Sequence, residues 1–138
     1  MKAGSIQLHN FRSVKDLSCV LDDYCLLVGE NNTGKTALLT AVRTFYEEGG
    51  AKFSREIDFP KFPTDDNESW IEIAYRTTEE EQETLKTEYR SADRLLRVRR
   101  YFQSDNKDLV KANQSNIYGY ENGTLSTSLF YGAKNVSQ

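Results

Sequence analysis

Apolar and polar residues alternate with a period of two from Ser5 to Phe11, where Ile6 and Leu8 stand against Gln7 and His9. That spacing predicts a strand with one buried face. Asn10-Phe11-Arg12-Ser13 marks a bend, and alternation resumes with Leu17, Cys19 and Leu21 before a turn at Asp22-Asp23. The two strands are close enough to pair as an antiparallel hairpin. Tyr24 to Val28 is a short apolar run with the length of a buried strand. From Ala37 to Tyr46 the apolar period changes to that of a helix, with Leu38, Leu39, Ala41, Val42 and Phe45 on one side and a stop at Glu47-Glu48-Gly49-Gly50.

Residues 51–69 hold both prolines, Pro60 and Pro63, and a polar turn at Asp65-Asp66-Asn67-Glu68, which predicts a loop with room for one short helical turn. Trp70 to Arg76 is a strand by its alternation of Ile71, Ile73 and Tyr75. Thr78 and Glu81 form a capping-box pattern that opens a helix expected to run to about Arg90, anchored by Leu85 and Tyr89. Leu95 to Phe102 alternates again, with Leu96, Val98 and Phe102 on one face. Ile117 to Glu121 and Leu125 to Phe130 flank Asn122-Gly123, a hairpin turn. Residues 132–138 show no pattern, and there is no internal repeat. The expected fold is α/β: a mixed sheet, largely antiparallel at one edge, with the helix over 37–46 packed against it.

Composition narrows the function classes. The 138 residues make one domain's worth of chain, 38% hydrophobic and 28% charged, with a net charge of -3. No overall basic field points to nucleic acid. The start leads directly into a strand without a signal-peptide pattern, and no apolar run approaches the ~20 residues of a membrane span, so a cytoplasmic setting is expected. Cys19 and Cys25 do not have metal-ligand spacing, and His9 is the one histidine. Both cysteines sit in apolar strands and are expected to be buried free thiols.

The chemistry is concentrated in Gly29-Glu30-Asn31-Asn32-Thr33-Gly34-Lys35-Thr36, which matches G-x-x-x-x-G-K-[ST] between an expected strand and an expected helix. Gly29 and Gly34 allow the chain to curl round a phosphate. Amides of Asn32, Thr33, Gly34, Lys35 and Thr36 can then converge as an anion nest, reinforced by the positive end of the following helix. Lys35 would reach the β- and γ-phosphates of ATP, and the Thr36 hydroxyl would ligate Mg2+.

Other polar residues carry weaker signals. Arg94, Arg97, Arg99 and Arg100 cluster around one strand, with Arg97 and Arg99 on the same face as Tyr101. Such a set can track a nucleic-acid backbone. More commonly it is a solvated face paired with acidic neighbours, here the glutamate-rich helix before it. Glu79, Glu80, Glu81 and Glu83 suit a helix start complementing the dipole better than a metal cluster. His9 is expected to be inert on a polar face, and Trp70 to serve packing.

Asn10-Phe11-Arg12-Ser13 followed by residues 29–39 resembles the start of an ABC-type ATPase head. The nearest resemblance is to the OLD (overcoming lysogenisation defect) family, with RecF and SMC ATPases similar at one remove. Those relatives usually carry Gly where this chain has Asn32, and Ser where it has Thr36. The paired Asn31-Asn32 favours the OLD side. The resemblance implies a P-loop NTPase first lobe and a place for Arg12 beside the phosphates. It also implies heads that dimerise and a setting in DNA processing, phage defence or repair. The chain departs from such heads in having no hydrophobic strand ending in Asp-Glu, no Ser-Gly-Gly signature and no room for a Toprim domain. It is therefore expected to be an N-terminal lobe, with ATP hydrolysis completed by other segments or a partner. The alternatives are a small P-loop kinase or GTPase, for which no guanine-specificity Asn-Lys-x-Asp is present, and a non-catalytic module that keeps the loop.

Overall fold

A computed structural model describes residues 2–12, 14–20, 40–47, 52–111 and 115–130. Six strands form one sheet: β1 (Lys2–Phe11), β2 (Val14–Val20), β3 (Ser69–Arg76), β4 (Leu95–Gln103), β5 (Ile117–Glu121) and β6 (Thr124–Leu129). Their order is β2-β1-β3-β4-β5-β6, and every pairing among these strands is antiparallel. The expected strand over 24–28 lies outside the described residues, so the antiparallel part of the predicted sheet is the part seen. The described helices are α1 (residues 40–46), α2 (Arg55–Asp58) and α3 (Glu79–Thr84), with a 3-10 turn at Thr87–Tyr89.

Register follows from burial on one side. Ile6 pairs with Ile73, which pairs with Val98, and Leu8 pairs with Ile71, so one face of three adjacent strands is continuous hydrocarbon. A one-residue slip would turn all of these to the other face. Ala41 and Phe45 of α1 are buried in the same cluster, with Val42 packed beside them. Phe11, Phe53 and Phe102 extend it as a ring cluster, with Phe53 and Phe102 stacked at 5.2 Å. Each such side chain, fully buried, contributes about 1.5–3 kcal/mol of transfer free energy.

Two glycines are needed where they stand. Gly123 has φ of 82° and Asn122 φ of 51°, the paired left-handed conformation of a tight hairpin turn. At Gly119 an added Cβ would lie 2.6 Å from the Phe130 ring, so the bare backbone lets Phe130 and Tyr89 cross β5.

Two expectations are corrected here. The helix expected to reach about Arg90 is α3 alone, ending at Thr84. Leu85 is extended (φ -77°, ψ 151°), and the chain re-enters as the short turn. This nearly all-polar segment has few apolar anchors, and the break lets both Leu85 and Tyr89 reach the core. The capping box between Thr78 and Glu81 is present as expected. Cys19 is disulfide-bonded, not a free thiol. It is half-buried on β2, an edge strand, rather than sealed in the core as the free-thiol expectation supposed.

Candidate nucleotide-binding site

Of the residues expected to hold nucleotide, Gly29, Asn31, Asn32, Thr33, Gly34, Lys35 and Thr36 lie outside the described residues. The structure does describe the elements on either side of that stretch, β1–β2 before it and α1 after it, together with Arg12.

Arg12 occupies the corner after β1 with φ of 53°. Its Nε donates to Asp58 Oδ1 at 2.8 Å, and its backbone N–H donates to the Asp58 carbonyl. The Asp58 side chain is 5% exposed and also accepts from the Ser54 amide at 2.9 Å. The guanidinium is 36% exposed and uses only its Nε among the described residues.

The C-terminal end of α1 is held by the sheet. Arg100 of β4 donates through Nη1 to the Phe45 carbonyl and, at 3.5 Å, to the Thr44 carbonyl. Its Nη2 donates to Glu47 Oε1 at 3.1 Å. Burial lowers the Arg100 pKa, and Glu47 partly offsets that. The hydroxyls of Tyr46 on α1 and Tyr75 on β3 are hydrogen-bonded to each other. Burial first, then that bond, raises the Tyr75 pKa. The parity of β4 places Arg100 with Leu96, Val98 and Phe102 on the core face, away from Arg97 and Arg99. Grouping it with a surface basic cluster overlooked that parity.

The opposite face of the sheet is polar and aromatic. Arg99 lies over the Trp70 ring, 3.7 Å from its centroid, and pairs with Glu72 at 3.0 Å. Tyr101 and Tyr120 hydroxyls accept from it at 3.2 and 3.3 Å, and the Tyr120 hydroxyl donates to Glu72 at 2.8 Å. Burial alone would lower the Arg99 pKa, but these partners leave it raised. Arg97 pairs with Asp93, and Arg94 with Glu79. The basic cluster is thus engaged by carboxylates, in line with its salt-bridged reading.

His9 of β1 shares this polar face and stacks on Trp70, with ring centroids 5.2 Å apart. Its Nδ1 lies 2.7 Å from Asp16 Oδ1, and its Nε2 lies 3.0 Å from both oxygens of Asp66. Asn10 gives its two amide hydrogens to Asp66 Oδ1 and the Glu68 carbonyl, at 2.9 and 2.8 Å. A neutral imidazole carries one N–H, so carboxylates on both nitrogens select the imidazolium. Partial burial lowers its pKa, and the bonds to Asp16 and Asp66 outweigh that and raise it. Sequence pattern had marked His9 as inert; only the return of residues 64–68 to β1 supplies Asp66.

Among the described residues there is no group of three His, Cys, Asp or Glu side chains able to hold a metal ion. None of their helices is long and apolar enough to cross a membrane.

An antiparallel sheet with a helix on its apolar face, in a chain whose sequence carries G-x-x-x-x-G-K-T between β2 and α1, fits a P-loop NTPase-like fold. The chain belongs to the AAA ATPase domain family, whose match covers residues 1–137. It is also similar to the DNA replication and repair protein RecF of Rickettsia typhi, 37% identical over 62 residues. That match takes in 44% of this chain and 17% of the RecF chain, so the chain spans about a sixth of its relative's length.

Proposed function

We propose that this chain binds ATP with Mg2+ through residues 29–36, as the first lobe of an ATPase acting in DNA processing or phage defence. Backbone amides from Asn31 to Thr36, freed to curl by Gly29 and Gly34, take the phosphates. Lys35 neutralises the β/γ oxygens, and the Thr36 hydroxyl, a hard oxygen donor, suits Mg2+. Arg12 adds a second cation from the β1 corner. The magnesium ion, when bound, draws charge from the β/γ-phosphate bridge.

The single observation that carries this reading is the motif's position between β2 and α1 in a chain that matches an ATPase domain almost end to end. The name of the similar RecF protein supports the DNA-related setting. The paired Asn31-Asn32 favours an OLD-like member. Hydrolysis belongs to a composite site that further segments, or a second head in a homodimer, complete, because catalytic Lys35 needs a water-activating carboxylate beside it. DNA contact is assigned to other segments, since Arg97 and Arg99 are already paired. A cytoplasmic location goes with this activity.

Titration of a fluorescent ATP analogue, with and without Mg2+, tests the reading. Wild type should bind and Lys35→Ala should not. Equal affinity of the two would refute the assignment. A turnover assay on this chain separates it from a small kinase or GTPase, which would turn over unaided.

A further inference from the structure

His9 joins three elements through one ring. On one side Nδ1 reaches Asp16, the residue opposite it on β2. On the other, Nε2 reaches both oxygens of Asp66, in the segment that leads into β3. Its face lies on Trp70, and the same indole carries the Arg99 guanidinium.

The two carboxylates are not equivalent. Asp66 keeps two further donors, the Asn10 side-chain amide and the Glu68 backbone amide, each 2.9 Å from Oδ1. It is held in place whatever His9 does. Asp16 has His9 as its one hydrogen-bond donor among the described residues, and its side chain is 66% exposed, so water can take the place of the imidazole. A neutral ring has one N–H to give. With that hydrogen on Nδ1, the Nε2 lone pair faces an Asp66 carboxylate that cannot turn away. Asn10 does not relieve this: its amide nitrogen is 3.3 Å from Nε2, but its two hydrogens go to Asp66 and Glu68. With the hydrogen on Nε2, Asp66 keeps its donor, and the repelled group is Asp16, which can swing into solvent.

We propose that Asp16, His9 and Asp66 form a proton-operated latch: the imidazolium ties β2 and residues 64–68 to one ring of β1, and loss of the proton releases Asp16 while Asp66 stays. The latch does not depend on the nucleotide reading. The other charges around the ring have partners of their own. Lys15 of β2 pairs with Asp65 at 2.8 Å, and Arg99 and Glu72, beyond Trp70, pair with each other at 3.0 Å. The Glu68 carboxylate accepts from the Ser104 hydroxyl. The folded pKa of His9 sets the release above the ordinary 6.5.

Trp70 is the one tryptophan in the chain, so its emission reports on the ring stacked against it. An imidazolium quenches a neighbouring indole more than a neutral imidazole does. Emission of the full chain should therefore rise in one step as pH is raised from about 5.5 to about 9, and His9→Gln should lack the step. Nitrogen NMR of the 15N-labelled chain should show both ring nitrogens protonated below the step and the Nε2–H tautomer above it. Asp16→Asn should lower the midpoint and keep that tautomer, because it removes only the partner that is let go. A flat profile in wild type, a step that survives in His9→Gln, an Nδ1–H tautomer above the step, or an unchanged midpoint in Asp16→Asn each overturns the latch. The tautomer is read on wild type, so it decides the matter even where His9→Gln does not fold.

Discussion

Arg12 and Asp58 join the corner after β1 to α2, with Nε 2.8 Å from Oδ1 and a parallel backbone bond between the same two residues. The carboxylate is nearly sealed while the guanidinium is partly open, so the two partners are not equivalent. Truncating the arginine strands a buried charge with one remaining donor to its side chain among the described residues, the Ser54 amide. Arg12→Met should therefore destabilise the chain by about 1–3 kcal/mol, discounted for the solvent reaching the arginine. Urea denaturation measures this; an unchanged midpoint would mean that water screens the pair.

The clasp of His9 between Asp16 and Asp66 gives stability a pH dependence. The folded pKa lies above the ordinary 6.5. The histidine's contribution is then complete below about 6.5 and fades as pH rises through the folded value. Asp66 acts in the opposite sense: burial alone would raise its pKa, but the Glu68 amide and His9 leave it below the ordinary 3.8. Its contribution is lost as acid brings the pH down through that folded value. His9→Gln should cost most near pH 5.5 and little at about pH 9. Denaturation midpoints for both proteins at the two pH values check this, and a pH-independent difference would contradict the imidazolium.

Two neighbouring arginines on one face should respond very differently to truncation. Arg99 is sandwiched among Trp70, Glu72, Tyr101 and Tyr120, while the Arg97–Asp93 pair is 36% and 49% exposed. Arg99→Met should cost about 2–4 kcal/mol because Glu72 is left nearly buried without its counter-ion, keeping the Tyr120 hydroxyl as a donor; Arg97→Met should cost less than about 1 kcal/mol. Thermal or chemical unfolding of the two variants gives the comparison, and equal losses would show that the sandwich contributes nothing beyond a surface pair.

Gly123 has nothing within 4 Å of an added Cβ, so any effect of Gly123→Ala is backbone strain alone. At φ of 82° the substitution should cost about 1–2 kcal/mol. The melting temperature of that variant checks the turn; no change would mean that the hairpin relaxes to another turn type.

Local pattern was enough for most elements. Alternation located β1, β3 and β4, and Asn122-Gly123 located the last hairpin, because these signals depend on neighbours a few residues apart. The capping box at Thr78 was legible for the same reason, while the end of α3 was not: Leu85 and Tyr89 leave the helix to join a core assembled from distant strands. Arg12 was singled out as a candidate site residue from its motif, yet its partner Asp58 is 46 residues away and has no local signature. Arg100 was misread although its parity with Leu96 and Val98 pointed inward, because charge was allowed to outweigh period.

The order of residues by itself determined the strand periods, the turn chemistry and the presence of a G-x-x-x-x-G-K-T motif, since each is carried by a few adjacent residues. Tertiary structure alone decided the strand order β2-β1-β3-β4-β5-β6, the seat of Arg100 beneath the end of α1, and the charge state of His9. Those depend on which distant groups share a low-dielectric space, and no local stretch of chain carries that information.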